Sequence, residues 1–174
     1  MDKNLAFEYF VSKLLVWYQD VTGNVQNNDF STLKVLKLLF FASAVGTEKG
    51  QEDTLLDTTF NRFYAMPYGH VESEIYSTIR NNELPNLRIT NSSSTFTNNI
   101  TYLDCELKNK IDSSIEKLKE ENINLIKMSP FELVELSHNW YSWKFYFNKA
   151  KRNGSYSELI PSEIIKSEQK FFHL

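Results

Sequence analysis

Between Leu33 and Val45 the chain has almost no polar side. Leu33, Val35, Leu36, Leu38, Leu39, Phe40 and Phe41 are interrupted only by Lys34 and Lys37. Asp29 or Ser31 supplies an N-cap before this run, and Gly46 and Gly50 end it. A helix that is apolar on most of its sides sits in the middle of a domain, with other elements packed around it. Whatever else the chain does, it must therefore supply enough amphipathic elements to surround this helix.

The rest of the sequence supplies them. Ala6, Phe10, Leu14, Trp17 and Val21 recur at steps of three and four, which predicts a helix over about residues 4–20. A short helix is expected from Asp53 to Phe63, a turn at Pro67 and Gly69, and a helix from His70 with Val71, Ile75 and Ile79 inward. Leu107, Ile111, Ile115 and Leu118 predict another helix, charged on its outer face. Ser129-Pro130-Phe131-Glu132 reads as a capping box with proline at the first helical position, and the aromatic run Trp140 to Phe147 follows it. A last helix starts at Pro161 and carries Ile164, Ile165, Phe171 and Phe172. Leu87 and Ile89, then Phe96, Ile100 and Tyr102, form a β-hairpin across the Asn91–Ser94 loop. The fold class is mainly α: a compact domain of about six to seven helices around a central apolar helix, with one small β-hairpin. No repeat or linker divides the chain, so residues 1–174 form a single domain.

Composition removes several functions. There are 19 basic and 22 acidic residues, a net charge of -3, without the basic excess of a phosphate-binding domain, so nucleic acid is not an expected partner. The nearest cationic cluster, Lys144, Lys149, Lys151 and Arg152, reads as a solvated helix end. Cys105 is the one cysteine, which fits a reducing cytoplasm. The N-terminus has no signal-peptide apolar core, and Leu38 to Ala42 is far shorter than the roughly 18 residues a membrane span needs.

Catalytic and metal motifs are equally sparse. Glu135-x-x-His138 shares a helix face, but a di-iron site needs a second such pair and two further Glu. His70-x-Glu72 lacks the later cysteine pair of a zinc deaminase. No glycine-rich phosphate loop or nucleophile elbow is present. His70, Glu72 and Glu74 beside the turn are the one group to test for catalysis, against a reading as a solvated first helical turn. No cofactor, no metal and no enzymatic activity are expected.

Three segments carry a specific signal: Lys37-Leu38-Leu39-Phe40-Phe41-Ala42, Phe63-Tyr64-Ala65, and Tyr68-Gly69-His70-Val71 followed by Glu74-Ile75-Tyr76. Together they resemble the Panacea domain of SocA-like antitoxins. That family has a Lys-Leu-Leu-aromatic-aromatic-Ala helix, then Phe-x-Ala, a Tyr-Gly-Pro-Val turn, and a helix with an acidic residue before an aliphatic and Tyr. Leu136-Ser137-His138 with Trp143 is similar to a later Leu-Ser/Thr-His segment and its downstream Trp. The resemblance covers residues 33–80 and, more loosely, 129–172. It departs at His70, where the family has proline (Pro67 precedes the tyrosine instead), and at Met66, where a Trp often stands. The matched residues look structural: Gly69 permits a tight turn, and Leu38, Leu39, Phe40 and Phe63 are core types. The resemblance implies a cytoplasmic antitoxin that binds and neutralises a separately encoded toxin protein. The alternative is a Panacea-like protein-binding or proteolytic-adaptor domain, for example prophage-encoded, with another role.

For such a module the expected partner-binding residues are Tyr141, Phe145, Trp140, Trp143 and Lys144. The run from Trp140 to Phe147 holds more aromatics than one buried helix face can take. Trp140, Trp143 and Phe147 share an inward face, leaving Tyr141 and Phe145 either as interface anchors beside Lys144 or beneath a second layer of core.

Overall fold

The computed structural model describes residues 2–100 and 103–174. Among them, eight α-helices and five short strands follow one another in the chain. Helix α1 (Lys3–Thr22) is capped by the Asp2 carboxylate, which accepts from the Asn4 and Leu5 amides, and it ends at Gly23 with φ of 72°. Ala6, Phe10, Leu14 and Trp17 are fully buried along it, as their spacing predicts.

Helix α2 (Thr32–Ala44) starts at Ser31, whose hydroxyl accepts from the Lys34 amide. Every residue from Lys34 to Val45 is buried, the two lysines included. A buried ammonium has to find acceptors. The Lys34 ammonium reaches Asp29 at 2.7 Å, while Lys37 turns to a backbone carbonyl described below.

The next segment departs from expectation. Helix α3 covers only Leu55–Thr58, and Phe63 begins a strand instead of ending a helix. Strand β1 (Phe63–Met66) alternates buried and half-buried residues, and pairs antiparallel with β2 (Gly69–Glu72) across the two-residue turn Pro67-Tyr68. His70 and Val71 are thus strand residues. Helix α4 (Ser73–Arg80) begins only after Glu72, whose side chain caps it by accepting from the Ile75 amide. The reason for the difference is physical. All four residues of β2 are buried, so the period-two alternation that marks a half-exposed strand is missing.

The predicted hairpin forms as β3 (Leu87–Ile89) and β4 (Ser94–Phe96), with Leu87 opposite Phe96 and Ile89 opposite Ser94. Ile100 lies outside it, and Tyr102 lies outside the described residues. Helix α5 (Cys105–Glu121) buries Leu107, Ile111, Ile115 and Leu118. Helix α6 (Pro130–His138) has the Ser129–Glu132 capping box complete, and helix α7 (Tyr141–Arg152) follows as a separate element. Strand β5 (Glu158–Leu159) joins the free edge of β1, giving the order β2-β1-β5. Helix α8 (Ser162–Ser167) is shorter than its apolar pattern suggests, and Phe171 and Phe172 lie beyond it. The fold is mainly α, with eight helices among the described residues where about six to seven were expected. No helix among the described residues is long and apolar enough to cross a membrane.

Candidate functional site

Helices α6 and α7 are kept apart by one residue. Asn139 still has helical angles, but Trp140 is extended at φ -73° and ψ 137°, so the chain turns before Tyr141. This kink sends consecutive aromatics to different places. Trp140 is fully buried, donates from Nε1 to the Phe171 carbonyl at 3.1 Å, and meets Phe40 edge-on with centroids 4.8 Å apart. It is a core residue and offers a partner no surface, which corrects its place among the expected contacts. Trp143 is half-buried in a stack between His138 (3.6 Å) and Phe147 (5.1 Å), and its Nε1 donates to the Met66 carbonyl at 2.8 Å. Its indole therefore ties α7 to the tip of the β1–β2 hairpin.

Tyr141 and Phe145 point the other way. They are 57% and 49% exposed, and their rings stack at 5.6 Å, one helical turn apart. Lys144 is exposed beside them. Of the five expected contact residues, the structure brings Tyr141, Lys144 and Phe145 together on the outer side of α7. No second layer of core among the described residues covers them.

Behind this helix lies a polar cluster that sequence reasoning did not assemble. The His70 ring is fully buried and stacked flat on Phe40 at 3.6 Å. Its Nδ1 lies 2.8 Å from Ser137 Oγ and its Nε2 lies 2.7 Å from Ser142 Oγ. A neutral imidazole has one protonated nitrogen and one acceptor, so one serine accepts from the ring and the other donates to it. Ser137 Oγ also accepts the His70 backbone amide at 3.1 Å. Lys37 donates from Nζ to the His70 carbonyl. Helix α2, strand β2 and helices α6 and α7 thus meet at one residue.

The electrostatics follow from burial. Removal from water pushes the Lys37 ammonium down to about 7, and no carboxylate among the described residues opposes the shift. Burial also holds the His70 imidazole well below its ordinary value, with the Lys37 charge and then His138 adding to it. His138 is lowered by burial and then by Lys37. Glu168, beyond α8, accepts the Ser142 amide at 2.9 Å and caps α7, whose N-cap Trp140 has no side chain to do so. Burial raises its carboxyl against those hydrogen bonds.

A serine on an imidazole has the composition of a nucleophile and its base. Here all three side chains are fully buried, and their contacts join secondary-structure elements. Glu72 is also fully buried, where a solvated helical turn was expected. Its carboxylate receives the Lys3 ammonium at 2.9 Å and the Ile75 amide at 2.8 Å. His70 and Glu72 therefore do different structural jobs at the two ends of β2. Among the described residues no three His, Cys, Asp or Glu side chains are grouped as metal ligands.

The residues of this cluster lie within or next to the segments quoted above: Lys37 in α2, Gly69 and His70 in β2, Ser137 and His138 in α6. A family model described as "Antitoxin SocA-like, Panacea domain" matches residues 35–144. The chain belongs to this family. No curated protein and no solved structure matches it. The matched span runs from the second turn of α2 to the first turn of α7. It contains the whole Lys37–His70–Ser137–Ser142 cluster and Tyr141, and ends at Lys144, with Phe145 and Glu168 beyond it. Within the Panacea domain the departure at His70 has a clear consequence: a backbone amide and a ring with two hydrogen-bonding nitrogens occupy a position where proline offers neither. Gly69 is required in the same place. Its φ is 93°, and a Cβ there would lie 2.4 Å from Ser137 Oγ.

The signal that was available for the cluster is Lys37 itself. A lysine in the middle of an apolar helix, with no acidic residue three or four positions away, must be satisfied by a distant segment.

Proposed function

We propose that this protein is an antitoxin, which acts in the cytoplasm by binding and neutralising a separately encoded toxin protein, and that it catalyses no reaction itself. The observation that carries the reading is the family match over residues 35–144, whose description names an antitoxin. The outer side of α7 is its binding face, with Tyr141 and Phe145 as anchors and Lys144 beside them. Exposed, stacked aromatics at a fixed spacing give a partner large apolar contact at little entropic cost, and such residues dominate interface energies. In this reading α2 is the central helix that holds the face in place. Its burial from Lys34 to Val45 and the link from Lys37 through His70 to α6 and α7 support that role. A binding role also suits the buried His70, Ser137 and Ser142, whose hydrogen bonds are all used to join elements.

The test is expression of the reading frame adjacent to this gene, alone and together with this chain. Growth arrest by that product alone, relief by co-expression, and co-purification of the two proteins are the expected results. A neighbour that is harmless, or that is silenced without any stable complex, removes direct neutralisation as the mechanism.

A further inference from the structure

The tip of the β1–β2 hairpin, the first turns of α2 and the outer side of α4 line a groove. Its apolar end has a volume of about 440 Å³, and Leu33, Leu36, Met66, Tyr68, Val71 and Tyr76 form most of its wall. Leu36 and Val71 are buried beneath it, Leu33, Met66 and Tyr76 are half-buried, and Tyr68 at the rim is 59% exposed. A second hollow of about 270 Å³ shares Thr32, Tyr76 and Asn91 with the first and extends it to Arg80 and Asn82. The two form one groove with an apolar end and a polar, cationic end.

Arg80 gives the polar end its character. Its side chain is exposed and has no hydrogen bond or ion pair among the described residues, whereas Arg62 is engaged by Glu74 and Tyr64. A cation in the last turn of α4 suits the helix dipole, but the dipole does not account for an apolar hollow one turn before it. A guanidinium presents donors in a planar fork that matches a carboxylate. An open apolar hollow of this size is in the range of built ligand sites, about 300–1,000 Å³.

We infer that this groove docks a segment of the toxin in which a large apolar side chain stands close to a carboxylate, the first filling the hollow against Leu36 and Val71 and the second pairing with Arg80. The identity of the partner rests on the antitoxin reading above; the chemistry of the segment rests on the groove alone. Tyr76 and Arg80 are one turn apart on α4, about 6 Å along the axis. Tyr76 lines both hollows, and an extended segment covers the distance from it to Arg80 in about two residues, so the apolar anchor and the carboxylate stand at least about two positions apart, in either order.

The test uses the intact chain and two probes. A random peptide display library selected on the protein is expected to enrich a large apolar residue with an Asp or Glu at least about two positions from it. Selection on Arg80→Glu, which leaves the fold intact, exchanges the acidic preference for a basic one. In parallel, Leu33→Lys with Tyr68→Ala lowers the affinity for the adjacent gene's product by about tenfold or more at an unchanged Tm. Enriched peptides that bind the double variant as well as the parent, or an acidic preference that survives Arg80→Glu, overturn the inference. So does a self-associated dimer that Leu33→Lys with Tyr68→Ala abolishes, because a second copy is then the occupant. If the adjacent product binds and the groove variants hold it unchanged, the groove inference falls while the antitoxin reading stands. If the peptides behave as expected but that product does not bind, the antitoxin reading falls and takes the toxin with it as occupant.

Discussion

Trp140 and Tyr141 are neighbours in the chain, yet they belong to opposite kinds of region. Trp140 packs against Phe40, Phe172 and the His70 ring inside the domain, while Tyr141 stacks on Phe145 in solvent. Both regions combine aromatic rings with a basic side chain: Phe40, Trp140, His70 and Lys37 in one, Tyr141, Phe145 and Lys144 in the other. The difference is access to water. In the interior each polar group must find a protein partner, so the cluster ties α2, β2, α6 and α7 together. On the surface Lys144 is solvated and the rings are free to meet another protein. In the proposed reading the same residue types serve stability in one region and recognition in the other, and changes to the two should be separable.

The largest effect is expected at Gly69. Gly69→Ala places a Cβ against Ser137 and forces an L-residue to a φ of 93°. The backbone strain alone is of order 1–3 kcal/mol, and the overlap adds to it, so urea unfolding should show a loss of about 3 kcal/mol or more. A variant that melts like the parent breaks the claim that β2 and α6 are locked at this point.

Next comes the pH dependence carried by Lys37. Its folded pKa, about 7, is below the ordinary 10.5 of a lysine. Between those values the unfolded chain binds a proton that the folded chain does not, so stability rises with pH from about 7 to 10.5. Below the folded value the penalty is constant. Compared with Lys37→Met, the parent should gain up to about 1.4 kcal/mol per pH unit across that window. Parallel stability curves for the two proteins between pH 7 and 10 are the result that contradicts it.

The surface region sharpens the contrast from the other side. Tyr141→Ala and Phe145→Ala should each cost about 2 kcal/mol in toxin binding, on the order of thirtyfold in affinity. Each should leave stability within about 0.5 kcal/mol of the parent. Titration against the adjacent gene's product, with thermal melts of the same samples, reads both quantities. A drop of several degrees in Tm with binding intact reverses the assignment of α7's outer side.

The smallest effect is expected at Lys144. A charge at the rim of an interface acts mainly on the association rate and its salt dependence. Lys144→Ala should slow association by about threefold at low salt and have little effect at high salt. Stopped-flow or biosensor kinetics at two ionic strengths separates this from a loss seen equally at both.

Features encoded within one or two helical turns were legible in the sequence. The spacing of Ala6, Phe10, Leu14 and Trp17, the Ser129–Glu132 capping box, and the four inward residues of α5 each depend on neighbours a few positions away. The family was legible too, because its motif segments are contiguous. Helical spacing set Tyr141 and Phe145 apart from the inward side of the aromatic run, but only the structure decided that they are exposed rather than beneath a second layer of core. Trp140 was expected inward and also among the partner contacts; its place at the joint before α7 and its complete burial depend on Phe40 and Phe172 from other parts of the chain.

What the sequence by itself determined, then, is the local layer: where most helices begin, which of their faces are apolar, and that α2 is apolar nearly all round. The tertiary structure alone decided that His70 is a strand residue, that Lys37 and Glu72 are buried, and that α6 and α7 part at Trp140. The hydrogen bonds behind those outcomes span 33 residues from Lys37 to His70, 67 from His70 to Ser137 and 72 from His70 to Ser142. A strand covered on both faces has no alternation to read, and a buried cation has no local mark of its partner. Such features exist only once distant segments have packed, because it is the exclusion of water between them that makes each polar group seek the other.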